Sequence, residues 1–268
     1  LQKFVSEIKW KNKFSAHPID EFGRHEYDIV VNCVGFGNPS VAKGAGVEIF
    51  RVTEEFDNLI IDYLKKNEKT LFVSLSSGAV YGKSFNVPVD EFTKTIVDIN
   101  NIDPNDYYSI AKINSEAKHR SVSNLNIVDL RIFSFFSRFV DLESGFLISE
   151  IVRSIKGKRV LKTSSNDITR DYVSADDLLE LIIQCSKNKP INDFFDVYSQ
   201  APITKFELLR FFQEEYGLKY KIKNNSMSNS PTGSKHAYYT TNRKAETLGY
   251  VPEYSSIDCI RRETKMIL

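Results

Sequence analysis

Tyr108 and Lys112 lie four residues apart in the segment YSIAK. On a helix this spacing places a phenol and an ammonium one above the other on the same face. A cation beside a phenol favours the phenolate, which is the form that a general base needs. A chain this rich in tyrosine and lysine is expected to contain such a pair by chance, and the alternative interpretation is a solvated helix face. The pair therefore needs support from its surroundings.

Two serines stand where an apolar run ends. The run LFVSLS at residues 71–76 predicts a buried strand, and Ser76 and Ser77 lie at its end. Ligands of open α/β folds bind at the carboxyl edge of the sheet, where a serine hydroxyl can donate to a substrate oxygen that a tyrosine protonates. Serines at strand ends are also common in turns. A serine at such an edge, followed by a Tyr-x-x-x-Lys helix, nevertheless indicates a catalytic pair.

Strands and helices alternate through the first half of the chain. Apolar runs at 28–34, 71–76 and 127–133 favour buried strands, and segments 47–66 and 104–120 have helical periodicity. Strand, helix, strand, helix, strand is the pattern of a doubly wound parallel sheet with helices on both faces. We therefore expect an α/β, Rossmann-like fold.

The second half predicts a smaller, mixed α/β lobe. Its expected elements are a helix at 145–156, a strand at 159–163, a strand at 194–198, a helix at 204–216 and a final short helix at 242–248. Segment 223–236 is polar and favours a loop. We expect a cofactor-binding lobe over residues 1–135 and a substrate-binding lobe over 136–268, with the chain crossing back to the first lobe in part.

Composition excludes several classes of protein. Thirty-six Lys and Arg stand against 35 Asp and Glu, and the formal charge of +1 gives no electrostatic footprint for nucleic acid or an acidic membrane. The three scattered cysteines argue against a disulfide framework. The histidines lack the spacing of metal ligands and are expected at the surface; they are His17, His25, His119 and His236. We expect a cytoplasmic protein without a metal site or a membrane span.

Four motifs follow one another along the chain: DIVVNCVG (28–35), SSGAVYG (76–82), YSIAK (108–112) and RDYVSADDL (170–178). In this combination the sequence resembles the extended short-chain dehydrogenase/reductase family of sugar-nucleotide epimerases, dehydratases and reductases. The resemblance implies a Rossmann-like lobe, NAD or NADP as cofactor, and a nucleotide-diphosphate sugar as substrate. It also implies a homodimer.

The resemblance assigns roles to individual residues. Ser77 occupies the position of the family's catalytic serine or threonine, and Tyr108 that of the acid/base. Lys112 matches the lysine that activates the tyrosine and holds the nicotinamide ribose. The implied cofactor-lining residues, besides Tyr108 and Lys112, are Val34, Gly35, Ile132 and Phe133.

Further positions are implied to contact the substrate, as Ser77 does. Ser134 stands where the family usually has an asparagine that touches the substrate. Arg170 occupies the position that meets the diphosphate, for which a guanidinium fork is a suitable partner, and the alternative is an ion pair with Asp171. The family's late loop often provides a second phosphate-binding arginine, and this chain offers Lys235 or His236 there.

Departures from the family pattern narrow the expected reaction. Gly78 and Ala79 stand where the family's 4,6-dehydratases carry the Asp-Glu pair that eliminates water, so dehydration is disfavoured. The early glycine pairs GFG and GAG are not followed by the third glycine of a pyrophosphate-binding loop. We therefore expect the N-terminal Gly-rich strand and loop to be missing, either cut away or never present.

The resulting hypothesis is an NAD(P)-dependent nucleotide-sugar epimerase in which Tyr108 exchanges a proton with a sugar hydroxyl, at C4, while a hydride is transferred. One alternative is a 4-keto sugar-nucleotide reductase with the same catalytic residues. Another is a non-catalytic binding or regulatory relative of the fold. Retention of Ser77, Tyr108 and Lys112 together argues against the last alternative, because a module freed from catalysis has no chemical reason to keep all three.

Overall fold

Four parallel strands form the central sheet of the computed structural model, which describes residues 3, 5, 6, 17, 19–37, 41, 44–82, 85–223 and 235–268. The strands, in chain order, are β1 (Ile29–Asn32), β2 (Leu71–Ser77), β3 (Ile127–Ile132), β4 (Ser134–Phe135), β5 (Leu161–Ser164), β6 (Thr169–Arg170), β7 (Tyr172–Val173), β8 (Asn192–Val197), β9 (Ile203–Thr204), β10 (Tyr220–Lys223) and β11 (Ala237–Tyr238). The central sheet has the order β1-β2-β3-β8, and each neighbouring pair is parallel. The predicted Rossmann-like parallel sheet is confirmed.

Helices cover both faces of this sheet. They are α1 (Glu48–Leu64), α2 (Tyr107–Ser121), α3 (Leu147–Lys156), α4 (Ala175–Lys187), α5 (Lys205–Tyr216) and α6 (Ser256–Thr264). Because side chains alternate along a strand, Phe72 of β2 packs in a cluster with Ile60 and Leu64 of α1, whereas Val73 packs with Leu178 of α4. No helix in the described part of the chain is long and apolar enough to cross a membrane.

A second core lies beyond the end of β3. There β5 pairs with β10, β6 lies between β9 and β11, and β4 pairs with β7. Side chains of α3, α5 and α6 pack around Phe136 and Tyr172 in this core. Two elements from the second half of the chain belong to the central sheet instead. Strand β8 pairs with β3, and α4 packs against the face of the sheet. The domain boundary between residues 135 and 136 stays a prediction.

The C-terminal region differs from its prediction. The helix expected at 242–248 is a 3₁₀ helix over Lys244–Leu248. It is not the last helix, because α6 follows and begins with a capping box between Ser255 and Asp258. That S-x-x-D pattern is a helix-start signal present in the sequence. Most of the loop predicted at 223–236, and most of the first sixteen residues, lie outside the described part of the chain.

His119 is fully buried, so the prediction of a surface position is wrong for this histidine, while the other three are exposed. Its Nδ1 lies 2.8 Å from Asp129 of β3, and its Nε2 lies 3.5 Å from Asp57 of α1. Burial alone would lower the pKa of His119, but the two carboxylates outweigh it and raise the pKa to about 9. The resulting imidazolium joins α1, α2 and β3 in the interior.

We expect this buried charge to make stability decrease as the pH rises. The folded chain keeps the His119 proton up to a pKa of about 9, whereas the unfolded chain releases it near the ordinary value of 6.5. The contribution is therefore complete below pH 6.5 and is lost as the pH rises through 9, by about 3 kcal/mol in the free energy of unfolding. Urea denaturation across this range, with an NMR titration of the imidazole, measures it.

The matched control is Asp57→Asn, which removes one of the two negative charges that face His119. In this variant the imidazole should titrate at a lower pH and less stability should be lost between pH 6.5 and 9. Other titrating groups are the same in both proteins, so the difference isolates His119. Identical pH profiles for the two proteins would contradict the assignment.

Candidate active site

Two neighbouring strands end side by side at the carboxyl edge of the central sheet. Ser77 ends β2 and Ile132 ends β3, and the two are partners in the strand register. Val34 and Gly35 follow β1 and are exposed. Gly35 has φ +135, which L side chains rarely adopt, and no atom of the described residues lies within 4 Å of an ideal Cβ at this position. The edge therefore combines a serine hydroxyl with open space beside the backbone.

Helix α2 brings Tyr108 and Lys112 to this edge. The Lys112 ammonium donates to the carbonyl of Leu75 in β2, with 2.8 Å between Nζ and O. This contact anchors α2 to β2 two residues before Ser77. Because an ammonium carries three N–H donors, Lys112 retains donors for a ligand. Tyr108 is half-buried one turn earlier on the same helix face.

Tyr107 and Tyr108 both pack against a small apolar cluster that contains Ile49 and Ala111. The ring of Tyr107 lies 6.0 Å from the ring of Phe50 on α1. Burial raises the pKa of Tyr238, and the charge of Tyr108 raises it further in smaller measure. The Tyr238 hydroxyl is itself 3.2 Å from Ser77 Oγ. Helix α2 packs against the 3₁₀ turn Gly78–Tyr81, which directly follows Ser77. The catalytic roles of Ser77, Tyr108 and Lys112 stay a prediction.

Phe133 lies directly after β3, but its side chain is only 5% exposed and packs against Tyr81, Phe85 and Tyr238. An ideal Cβ on Gly78 would lie 2.4 Å from two atoms of the Phe133 ring. A side chain at position 78 therefore collides with a buried ring. Glycine fits this position because it has no Cβ to meet the ring. The predicted contact of Phe133 with a nicotinamide stays a prediction.

The predicted substrate residues lie on the strands of the second core. Ser134 begins β4 and is half-buried, paired in register with Tyr172. Arg170 of β6 is 6% exposed, and its Nη1 donates to the carbonyls of Thr169 and Lys235 at 2.8 and 2.9 Å. Burial lowers the pKa of Arg170. The guanidinium thus holds the backbone at the start of β11, and its contact with a diphosphate stays a prediction.

Tyr238 and Lys235 both lie near the site. The sequence predicted a role only for Lys235, as a phosphate ligand. Lys235 Nζ lies 4.4 Å from the centroid of the Tyr238 ring and 4.6 Å from that of Phe85. Burial, and then the charge of Arg170, lower the pKa of Lys235 to about 8. No sequence pattern points to Tyr238, because it is 161 positions away from Ser77.

A buried ion pair between Glu116 and Arg131 connects the elements that carry the site. Ser76 Oγ donates to Glu116 Oε1 at 2.6 Å, and Arg131 Nε donates to the same oxygen at 3.0 Å. Burial alone would lower the pKa of Arg131, but the hydrogen bonds and charge of Glu116 outweigh it and raise the pKa. The pair connects α2 to both β2 and β3. Motif reasoning missed it, because its members are dispersed along the chain.

Comparison with protein families found a match over residues 15–198 to the NAD dependent epimerase/dehydratase family. A comparison with curated protein sequences found no significant match. At the level of sequence, the evidence for relatedness is therefore the match to the family model.

Solved structures share the fold at low sequence identity. The UDP-glucose 4-epimerase of Thermotoga maritima, solved with UDP-glucose, has a TM-score of 0.75 at 17% identity, over 92% of this chain and 79% of that one. The UDP-glucose 4-epimerase of Bifidobacterium longum, with NAD⁺ and UDP, has a TM-score of 0.72 at 17% identity, over 92% and 77%. RMD from Pseudomonas aeruginosa, complexed with NADPH, has a TM-score of 0.70 at 16% identity, over 90% and 81%.

The contact between Gly78 and Phe133 can be tested by adding one methyl group. Gly78→Ala places a Cβ 2.4 Å from the buried ring, so we expect the free energy of unfolding to fall by about 1–3 kcal/mol. Gly44→Ala is the control, because no atom of the described residues lies within 4 Å of its Cβ; its effect should stay within about 0.5 kcal/mol. Urea denaturation compares the two. Equal stability of both variants would mean that Phe133 does not occupy this space.

Proposed function

The chain belongs to the NAD dependent epimerase/dehydratase family, and from this premise we propose that it is a nucleotide-sugar epimerase. Its reaction inverts a sugar carbon, C4, by transient transfer of a hydride, with Tyr108 as the acid/base. The substrate is a sugar attached to a nucleoside diphosphate, whose diphosphate is met by Arg170.

The convergence of three side chains at one sheet edge carries this proposal. Ser77 ends β2, Lys112 donates to the carbonyl of Leu75 two residues earlier on the same strand, and Tyr108 lies one helical turn from Lys112. A hydroxyl, a phenol and an ammonium are together the groups that proton exchange with an alcohol requires. Ser77 is 6% exposed, so a sugar oxygen that reaches it leaves bulk water behind.

The residues present fit the ribose and nicotinamide end of a cofactor. Lys112 has N–H donors beyond the one given to Leu75, which suit the two hydroxyls of a ribose. The open space at Gly35 leaves room beside the end of β1. When bound, NAD or NADP supplies the acceptor and the donor for the hydride of the sugar carbon. The Bifidobacterium longum and Pseudomonas aeruginosa neighbours are complexed with NAD⁺ and NADPH.

The side chains then handle the proton. Tyr108 Oη takes the proton from the sugar hydroxyl as the hydride leaves the carbon, and returns it when the hydride comes back. Ser77 donates a hydrogen bond to the same oxygen and stabilises the charge that develops there. The ammonium of Lys112 opposes the negative charge that the phenol gains.

Elimination of water is not part of the proposed reaction. It needs an acid and a base beside the sugar, and the family's dehydratases carry them where this chain has Gly78 and Ala79. The Phe133 ring leaves no space for a side chain at position 78. Hydride and proton exchange without elimination is the chemistry that these residues support.

The test is turnover of a panel of nucleotide-diphosphate sugars with NAD⁺ or NADPH, followed by proton NMR of the sugar. We expect the wild-type chain to invert C4 of one of them. Tyr108→Phe removes only the oxygen that exchanges the proton, so turnover should fall by about 10²–10⁴-fold with little change in stability. Tyr107→Phe is the matched control and should retain turnover, because adjacent positions on a helix are turned about 100° from each other and Tyr107 therefore lies off the face of Tyr108 and Lys112.

Each other outcome decides against part of the proposal. Loss of turnover in Tyr107→Phe but not in Tyr108→Phe would contradict the assignment of the acid/base. Net oxidation of NADPH with a 4-keto nucleotide sugar would indicate a reductase. Absence of turnover with every combination of sugar and cofactor would favour a non-catalytic binding relative.

A further inference from the structure

Within the described residues, the Ser77 hydroxyl has two hydrogen-bond neighbours. The Ala79 N–H donates to Ser77 Oγ at 3.2 Å, and the Tyr238 hydroxyl lies at the same distance from this oxygen. A serine hydroxyl has one proton to donate and two lone pairs that accept. If Tyr238 donates, both lone pairs are filled, and the Ser77 proton is left for a substrate.

Chemistry favours Tyr238 as the donor in this pair. A phenol is more acidic than an alkyl alcohol, so it donates the stronger hydrogen bond of the two. Tyr238 is 4% exposed, and burial raises its pKa, which keeps the phenol protonated throughout the working pH range. A buried phenol must also direct its proton to an acceptor, and Ser77 Oγ is within reach.

Tyr238 is held firmly enough to act as a fixed donor. The backbone N–H of Ala237 donates to the carbonyl of Phe85 at 2.7 Å, and β11 pairs with β6. The Tyr238 ring makes edge contacts with Phe85 and Phe133, with centroids 4.8 and 5.2 Å apart. The ammonium of Lys235 lies over its face. These contacts restrict the ring on several sides, so its hydroxyl cannot turn away from Ser77 without disturbing the core.

We propose that Tyr238 is a positioning residue for the reaction: its hydroxyl donates to Ser77 Oγ and, with the Ala79 N–H, directs the Ser77 proton toward the reacting oxygen of the sugar. This inference rests on the proposed function, since it concerns the same site. Tyr238 acts through Ser77 and not on the substrate. Its loss should therefore affect the rate of the chemical step more than the binding of the nucleotide sugar.

The test combines Tyr238→Phe, Ser77→Ala and the double variant, assayed on the nucleotide sugar that the wild-type chain turns over. Tyr238→Phe keeps the ring and its packing, so the midpoint of unfolding should change little. We expect kcat to fall by about 3- to 10-fold, the effect of one neutral hydrogen bond, with KM unchanged. The double variant should be no slower than Ser77→Ala alone. Tyr239→Phe, at the neighbouring and half-buried tyrosine, is the control and should leave kcat unchanged.

A second measurement examines the contact without turnover. In protein labelled with ¹³C at the tyrosine Cζ, the signal missing from Tyr238→Phe identifies this residue, and Ser77→Ala should shift it by removing the acceptor. An unshifted signal overturns the proposal. Additive losses of kcat in the double variant, or a loss expressed in KM alone, overturn it too. Absence of turnover by the wild-type chain, with the NMR shift present, instead overturns the proposed function and leaves the hydrogen bond in place.

Discussion

The carboxylate of Glu116, held between Arg131 and Ser76, determines where helix α2 lies on the sheet. All three side chains are buried, and a buried charge that loses its partner costs about 3–5 kcal/mol. Helix α2 therefore cannot slide or rotate on β2 and β3 without breaking the pair. Lys112 lies one turn earlier on the same face of the helix and donates to the carbonyl of Leu75. The ion pair and this hydrogen bond together fix the register between α2 and β2.

The same guanidinium reaches the second half of the chain. Arg131 lies 4.8 Å from the centroid of the Tyr81 ring, and the Tyr81 hydroxyl donates to Asp196 of β8 at 2.9 Å. Thr240, just after β11, donates to the other oxygen of Asp196 at 2.8 Å. Burial raises the pKa of Asp196, while these donors favour its charged form. This network fixes the segment around β11 to the central sheet, which is how Tyr238 comes to lie beside Ser77.

Local patterns in the sequence were sufficient for the strands and helices of the first half, but not for the C-terminal region. The strands follow from short apolar runs and the helices from a period of 3.6, and parallel strands necessarily bring their ends, such as Ser77 and Ile132, to one edge. The pairs that were missed join distant residues of ordinary type. Nothing in the pattern around His119 distinguishes a surface histidine from one buried between Asp57 and Asp129. Such pairings depend on tertiary packing, which one-dimensional periodicity does not contain.

The aromatic cluster beside Ser77 both fills the space above Gly78 and holds Tyr238 in place. The Phe133 ring occupies the space above Gly78 and so prevents any side chain at that position. The same ring packs on one edge of Tyr238 and, with Phe85, holds that phenol 3.2 Å from Ser77. A carboxylate at position 78 would require the ring to move, and moving the ring would release Tyr238. A carboxylate at position 78 and the Phe133 ring that holds Tyr238 would therefore need the same space. In this chain the ring occupies it.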